Sequence, residues 1–131
     1  MLDFINVKIV AVAQVLMAIG MIHFWIKWFR TEHNEPWLPA GYVEHEKVFV
    51  YPDIVLSILM VVSAILLLIG QPIGNTLTLV CGGMMLFLSI IDTAYFWQHD
   101  LFAKDKGGAE NLFGLILPMY LMSALMILRF L

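Results

Sequence analysis

The chain is predicted to be an all-α membrane protein, an up-down bundle of four transmembrane helices, and three observations predict it. Hydrophobic residues make up 62% of the 131 positions and mean hydropathy is +0.91, beyond what a soluble domain of this size keeps in solution. Four apolar runs, 5–29, 48–70, 74–97 and 112–131, are each near the ~20 residues that cross ~30 Å of hydrocarbon. Nearly all the charge lies between these runs or at the ends of the chain.

The first run is too long for the apolar core of a signal peptide. It lacks a small-residue cleavage site and ends in Trp25, Lys27, Trp28 and Arg30, so it is expected to stay as a mature helix. A loop follows over 31–47, where Pro36 and Pro39 forbid a continuous helix and hold Trp37 and Leu38 between them. Such a segment suits the membrane surface or the bundle mouth, which makes it a candidate lid. The second run is joined to the third by the tight Gln71-Pro72-Ile73 turn. The third leads through 99–110, where Ala103-Lys-Asp-Lys-Gly-Gly reads as a flexible connector, into the fourth. With no repeat and no linker, residues 1–131 form one domain.

Alternating helix directions put both sizeable loops on one side, and both termini with the 71–73 turn on the other. Five of the seven Lys and Arg residues (Lys27, Arg30, Lys47, Lys104, Lys106) fall on the loop face, so the positive-inside bias places the loops in the cytoplasm, with the inner cell membrane as the expected location. Trp25, Trp28, Trp37, Tyr51, Tyr95 and Trp97 cluster at that face as an interfacial belt. The lone Cys81, inside the third run, excludes a disulfide framework and reads as packing. A net charge of −3 without a basic run excludes a nucleic-acid footprint and leaves the lipid bilayer as the expected partner.

Function is expected where ionisable residues enter the apolar runs. His23 lies five residues before Trp28, Asp92 five before Trp97, and Asp53 five after Val48, so each sits about 7–8 Å inside the loop-side boundary. A charge near mid-membrane costs about 2.5–3.5 kcal/mol on insertion scales, which favours an inward orientation with partners. Helical spacing aligns Ser89, Asp92, Tyr95 and His99 on the third helix, and Asp53 with Ser57 on the second. His23, Tyr51, Asp53, Asp92, Tyr95 and His99 are therefore the candidate ligand-binding or proton-handling residues. Asp92 is expected to pair with His23 or Lys27, and an Asp–His pair would titrate near neutral pH. A plainer reading competes at Asp53, because Pro52-Asp53 is an ordinary helix start. Lys27, Arg30 and Lys47 read as snorkelling anchors, and His23 can also serve as one.

Other chemistries find less support. Glu32, His33, Glu35, Glu44, His45, Glu46, His99 and Asp100 gather at the loop face, but no H-E-x-x-H, E-x-x-H or Cys pair gives them zinc spacing, and no metal is assigned. A haem held by His23 and His99 is disfavoured by their different depths. Gln14, nine residues before His23, falls on the opposite face of the first helix. It suggests a contact that either builds an oligomer, aided by Gly82 and Gly83, or packs within one chain.

The stretch Gly20-Met-Ile-His23-Phe24, the Trp37-Leu-Pro39 loop and a second run ending Leu-Leu-Leu-Ile-Gly70 resemble the DoxX-like group of small four-helix membrane proteins, over about the first half of the chain. The resemblance implies the four-helix architecture and an association with membrane redox systems and quinone. It transfers no catalytic residue, and Asp92-Thr-Ala-Tyr95-Phe-Trp-Gln98-His stands outside its pattern. Three functions remain open. The leading one is a non-enzymatic accessory protein whose pocket binds a small lipophilic molecule, a quinone-like headgroup or a proton beside a partner membrane subunit. The second is a small proton-coupled transporter working as a homo-oligomer. The third is a membrane enzyme for a lipophilic substrate with Asp92 or His99 as acid or base, although no nucleophile or metal motif supports it. No cofactor is assigned.

Overall fold

The computed structural model describes residues 1–36 and 38–131, with the side chain of Glu32 left out. Asn6 opens the first helix by accepting the Lys8 N–H at 2.8 Å, and α1 runs over Val7–Arg30. Gly41, at φ 81°, supplies the left-handed turn from which α2 (Tyr42–Val48) starts, and Phe49 joins it to α3 (Val50–Leu68) while staying helical itself. Gly70, at φ 75°, closes the hairpin to α4 (Ile73–Gln98). The last arm is built from α5 (Gly108–Asn111), a π-helical segment Leu112–Ile116 and α6 (Leu117–Phe130). All described elements are helical, and four continuous arms are long and apolar enough to span a membrane.

The arms form a ring. α1 packs on α3, α3 on α4 and α4 on α6, while the seam between α6 and α1 is the sparsest contact. This is the expected up-down order, with the 31–41 and 99–107 loops at one end and both termini at the other. Beneath the loop end lies a methionine-rich core in which Met60, Met85 and Met126 are fully enclosed beside Leu56 and Cys81. Unbranched methionine fills the uneven gaps between helices. The outward faces are aliphatic, with Ile9, Val12, Leu16 and Ile19 all exposed along α1.

Gln14 belongs to the interior. It is fully buried, donating from Nε2 to Ser63 Oγ at 2.7 Å and more weakly to Thr78 Oγ1 at 3.5 Å, while the Ser63 and Thr78 hydroxyls lie 2.6 Å apart. This polar knot ties α1, α3 and α4 within one chain, the second of the two roles the sequence allows for Gln14. Gly82 packs directly against Met126 and Ile127 of α6, whereas the neighbouring Gly83 faces open space.

Two segments depart from the sequence expectation. The second span begins at Tyr42, so 42–47 is helix where the sequence suggested loop, and Tyr42 and Glu46 are buried. The Pro-rich turn ends just before Gly41, leaving a heptapeptide free to form helix continuous with α3. The 103–108 connector is latched, not loose. Asn111 Nδ2 donates to the Leu101 carbonyl at 2.6 Å and to the Lys106 carbonyl at 3.3 Å, Leu101 is buried, and Gly108 sits so close to the Phe102 carbonyl that a Cβ there would collide. In the proposed lid, Leu38 packs against the aromatic cluster at the bundle mouth, and Trp37 lies outside the described residues.

Candidate functional site

Just below the loop end the four arms spread around a cavity of about 170 Å³. Its acidic wall is made by Glu46 of α2, Asp53 of α3 and Asp92 of α4, and its apolar wall includes Met21, Phe24, Phe49 and Met119. The last arm explains the opening. Pro118 has no N–H to offer the Gly114 carbonyl one turn earlier, the preceding segment widens to π-helix, and Gly114, Leu115 and Pro118 all line the cavity. Gly20 of α1 also lines the cavity, and a Cβ there would meet nothing within 4 Å.

The carboxylates are unequally held. Asp53 Oδ2 accepts the Trp25 indole N–H at 2.8 Å, and the Asp53 carbonyl accepts the Ser57 hydroxyl at the same distance. Asp53 lies in the first turn of α3 without making a capping bond, so its side chain is committed across the bundle to α1. Asp92 accepts no hydrogen bond among the described residues. Glu46 is 5% exposed and its Oε1 has no partner among the described residues. The three groups are close enough for their charges to interact, yet no Lys, Arg or His nitrogen among the described residues comes within 4 Å of any of them. Among the described residues no set of three or more His, Cys, Asp or Glu side chains is arranged to hold a metal ion.

A second layer lies toward the loops. The His45 ring stacks on Tyr95, with centroids 3.8 Å apart and planes at 10°, and His99 lies 4.2 Å from the same ring. The Tyr95 hydroxyl and His45 Nε2 are buried without partners among the described residues. Trp28, against Tyr42, carries the arrangement on to His33, whose Nδ1 lies 2.9 Å from the Trp28 carbonyl.

Of the six residues singled out from the sequence, Asp53 and Asp92 are brought together at the cavity, and Tyr95 lies against a tilted His99 ring in the layer toward the loops. His23 and Tyr51 lie elsewhere. His23 is exposed and lines a shallow outer groove between α1 and α3, so it faces away from Asp92 and the expected pair does not form. Tyr51 is 73% exposed on the outside of α3. Glu46, Trp25 and His45 were missed as site residues. Trp25 was legible in part, since two helical residues separate it from His23 and turn it about 200° to the other face.

Replacing Trp25 by Phe removes the only hydrogen-bond donor that the described residues give the Asp53 carboxylate. Leaving this half-buried acceptor unmet costs about 1 kcal/mol, so the variant is expected to melt a few degrees below wild type in detergent. An unchanged melting temperature would show that the indole–carboxylate bond holds nothing in place.

No protein-family model matches the chain, and no curated protein or solved structure matches it either.

Proposed function

We propose that this is an integral membrane protein that binds a small molecule or quinone-like headgroup in the carboxylate-lined cavity, acting as an accessory subunit to a membrane redox system or similar complex. One observation carries the reading: three acidic side chains from three helices border one cavity within the apolar arms, and no Lys, Arg or His nitrogen among the described residues lies within 4 Å of them. Acidic side chains within membrane-spanning helices are costly and are retained chiefly where they act. The resemblance to DoxX-like proteins points the same way, because Gly20, Met21 and Phe24 of the quoted stretch line this cavity. The excess of Lys and Arg at the loop end favours a cytoplasmic mouth.

Transport is less favoured by the packing. A solute leaving the cavity toward the termini would have to cross the methionine core and the Gln14–Ser63–Thr78 knot. Catalysis lacks a nucleophile or metal set among the described residues that line the cavity.

Native mass spectrometry of gently extracted protein tests the binding reading. The expected spectrum contains a retained small mass in the wild type that is lost in Asp92→Asn. A clean apo mass in the wild type would remove the reading and turn attention to a purely partner-binding role.

A further inference from the structure

A cluster of acids does not by itself define a ligand, but Glu46 adds an independent observation. It is 95% enclosed, it forms part of the cavity wall, and its Oε1 meets no donor among the described residues. An oxygen buried in this way calls for a donor from whatever occupies the space. A bare metal ion does not fit, because coordination demands several oxygens within about 2.0–2.6 Å of one point and the three carboxylates do not converge in that way. The occupant is therefore polyatomic.

Its size and charge follow from the walls. An apolar cavity of about 150 Å³ holds a benzene molecule, so about 170 Å³ admits one ring or a compact alkylammonium head. Phe24, Trp25 and Phe49 border the same space as Glu46, Asp53 and Asp92, combining aromatic rings with negative charge as sites for organic ammonium groups do. A neutral occupant would offer the acids no countercharge, whereas a cation supports their ionised form as it binds.

We propose that the cavity takes a lipophilic organic cation, a protonated amine with a head of about one ring, seated between the carboxylates and the aromatic wall. Entry is from the side. Met17 and Pro118 belong both to the cavity wall and to an open apolar groove along the sparse α1–α6 seam, which gives a membrane-dissolved ligand a path that avoids the aromatic mouth. The inference rests on the pocket-binding reading and narrows its ligand class.

Isothermal titration of the full-length protein in detergent at neutral pH, against matched blanks, tests the class with three probes: benzylammonium, its neutral isostere ethylbenzene, and duroquinone. The cation is expected to bind at least tenfold more tightly than either neutral probe. Asp92→Asn and, separately, Glu46→Gln should each weaken it tenfold or more while eluting from gel filtration as wild type does. Equal or tighter binding of a neutral probe overturns the cation class, as does cation binding unchanged in both variants. Duroquinone binding that depends on Asp92 would remove the cation class and leave the pocket reading standing. If no probe binds, the native spectrum separates the two failures: a retained mass removes only the cation class, and a clean apo mass removes both.

Discussion

Asp92→Asn is expected to raise the melting temperature of the ligand-free protein by several degrees while weakening ligand retention at least tenfold. Asp92 borders the cavity with two other acids and has neither a cation within 4 Å nor a hydrogen bond among the described residues. Asparagine keeps the shape and cannot ionise, so the ligand-free bundle no longer carries the cost of a half-buried acid beside two others. The bound state loses a charge-assisted contact worth about 1.5–3 kcal/mol, or roughly 10- to 150-fold in affinity. Opposite signs for stability and binding mark a residue kept for its action at the expense of the fold. Differential scanning fluorimetry with native mass spectrometry reads both; a lower melting temperature in Asp92→Asn would make the residue a structural partner instead.

Gly82→Leu is the second large effect, and it separates packing from binding. A Cβ at position 82 would lie 2.7 Å from Ile127 Cγ1, 3.2 Å from Met126 Cβ and 3.3 Å from the Ile127 backbone nitrogen. Neither that backbone nor the enclosed Met126 has room to retreat. Overpacking typically costs about 1–3 kcal/mol, and leucine extends well past the Cβ, so the α4–α6 contact should open and monodisperse protein should be lost. Gly83→Leu is the matched control. A Cβ there meets nothing within 4 Å, and the substitution should change stability by no more than about 0.5 kcal/mol. Equal behaviour of the two variants in thermal melts and gel filtration would show that α4 does not use Gly82 to approach α6.

The spans and the depth of the acids could be read from the chain, because length, hydropathy and rise per residue are enough for both. Asp53 and Asp92 meet at one level for that reason. Helix rotation was not legible. α1 is apolar on nearly every side, so its pattern does not say whether Gln14 or His23, half a turn apart, faces the bundle. The structure turns Gln14 inward to Ser63 and Thr78, and that phase sends His23 outward and brings Trp25 to Asp53. Glu46 reads from the sequence as one of the solvated loop acids, because helix begins right after Gly41 in a polar stretch. Pro118 lies inside an uninterrupted apolar run, and its effect on the Gly114 carbonyl becomes visible only once the helix around it is known.

Labelling with diisopropylcarbodiimide, which seeks carboxyl groups in apolar surroundings, tests most directly the central claim that Glu46, Asp53 and Asp92 share one ligand-sized cavity. About 170 Å³ leaves room for a single adduct. Peptide mass mapping of ligand-stripped protein should find label distributed over the three residues but never on two of them in the same molecule, and the bound ligand should protect all three together. Two or three adducts on these residues in one chain, or three that react independently of the ligand, would contradict the shared cavity.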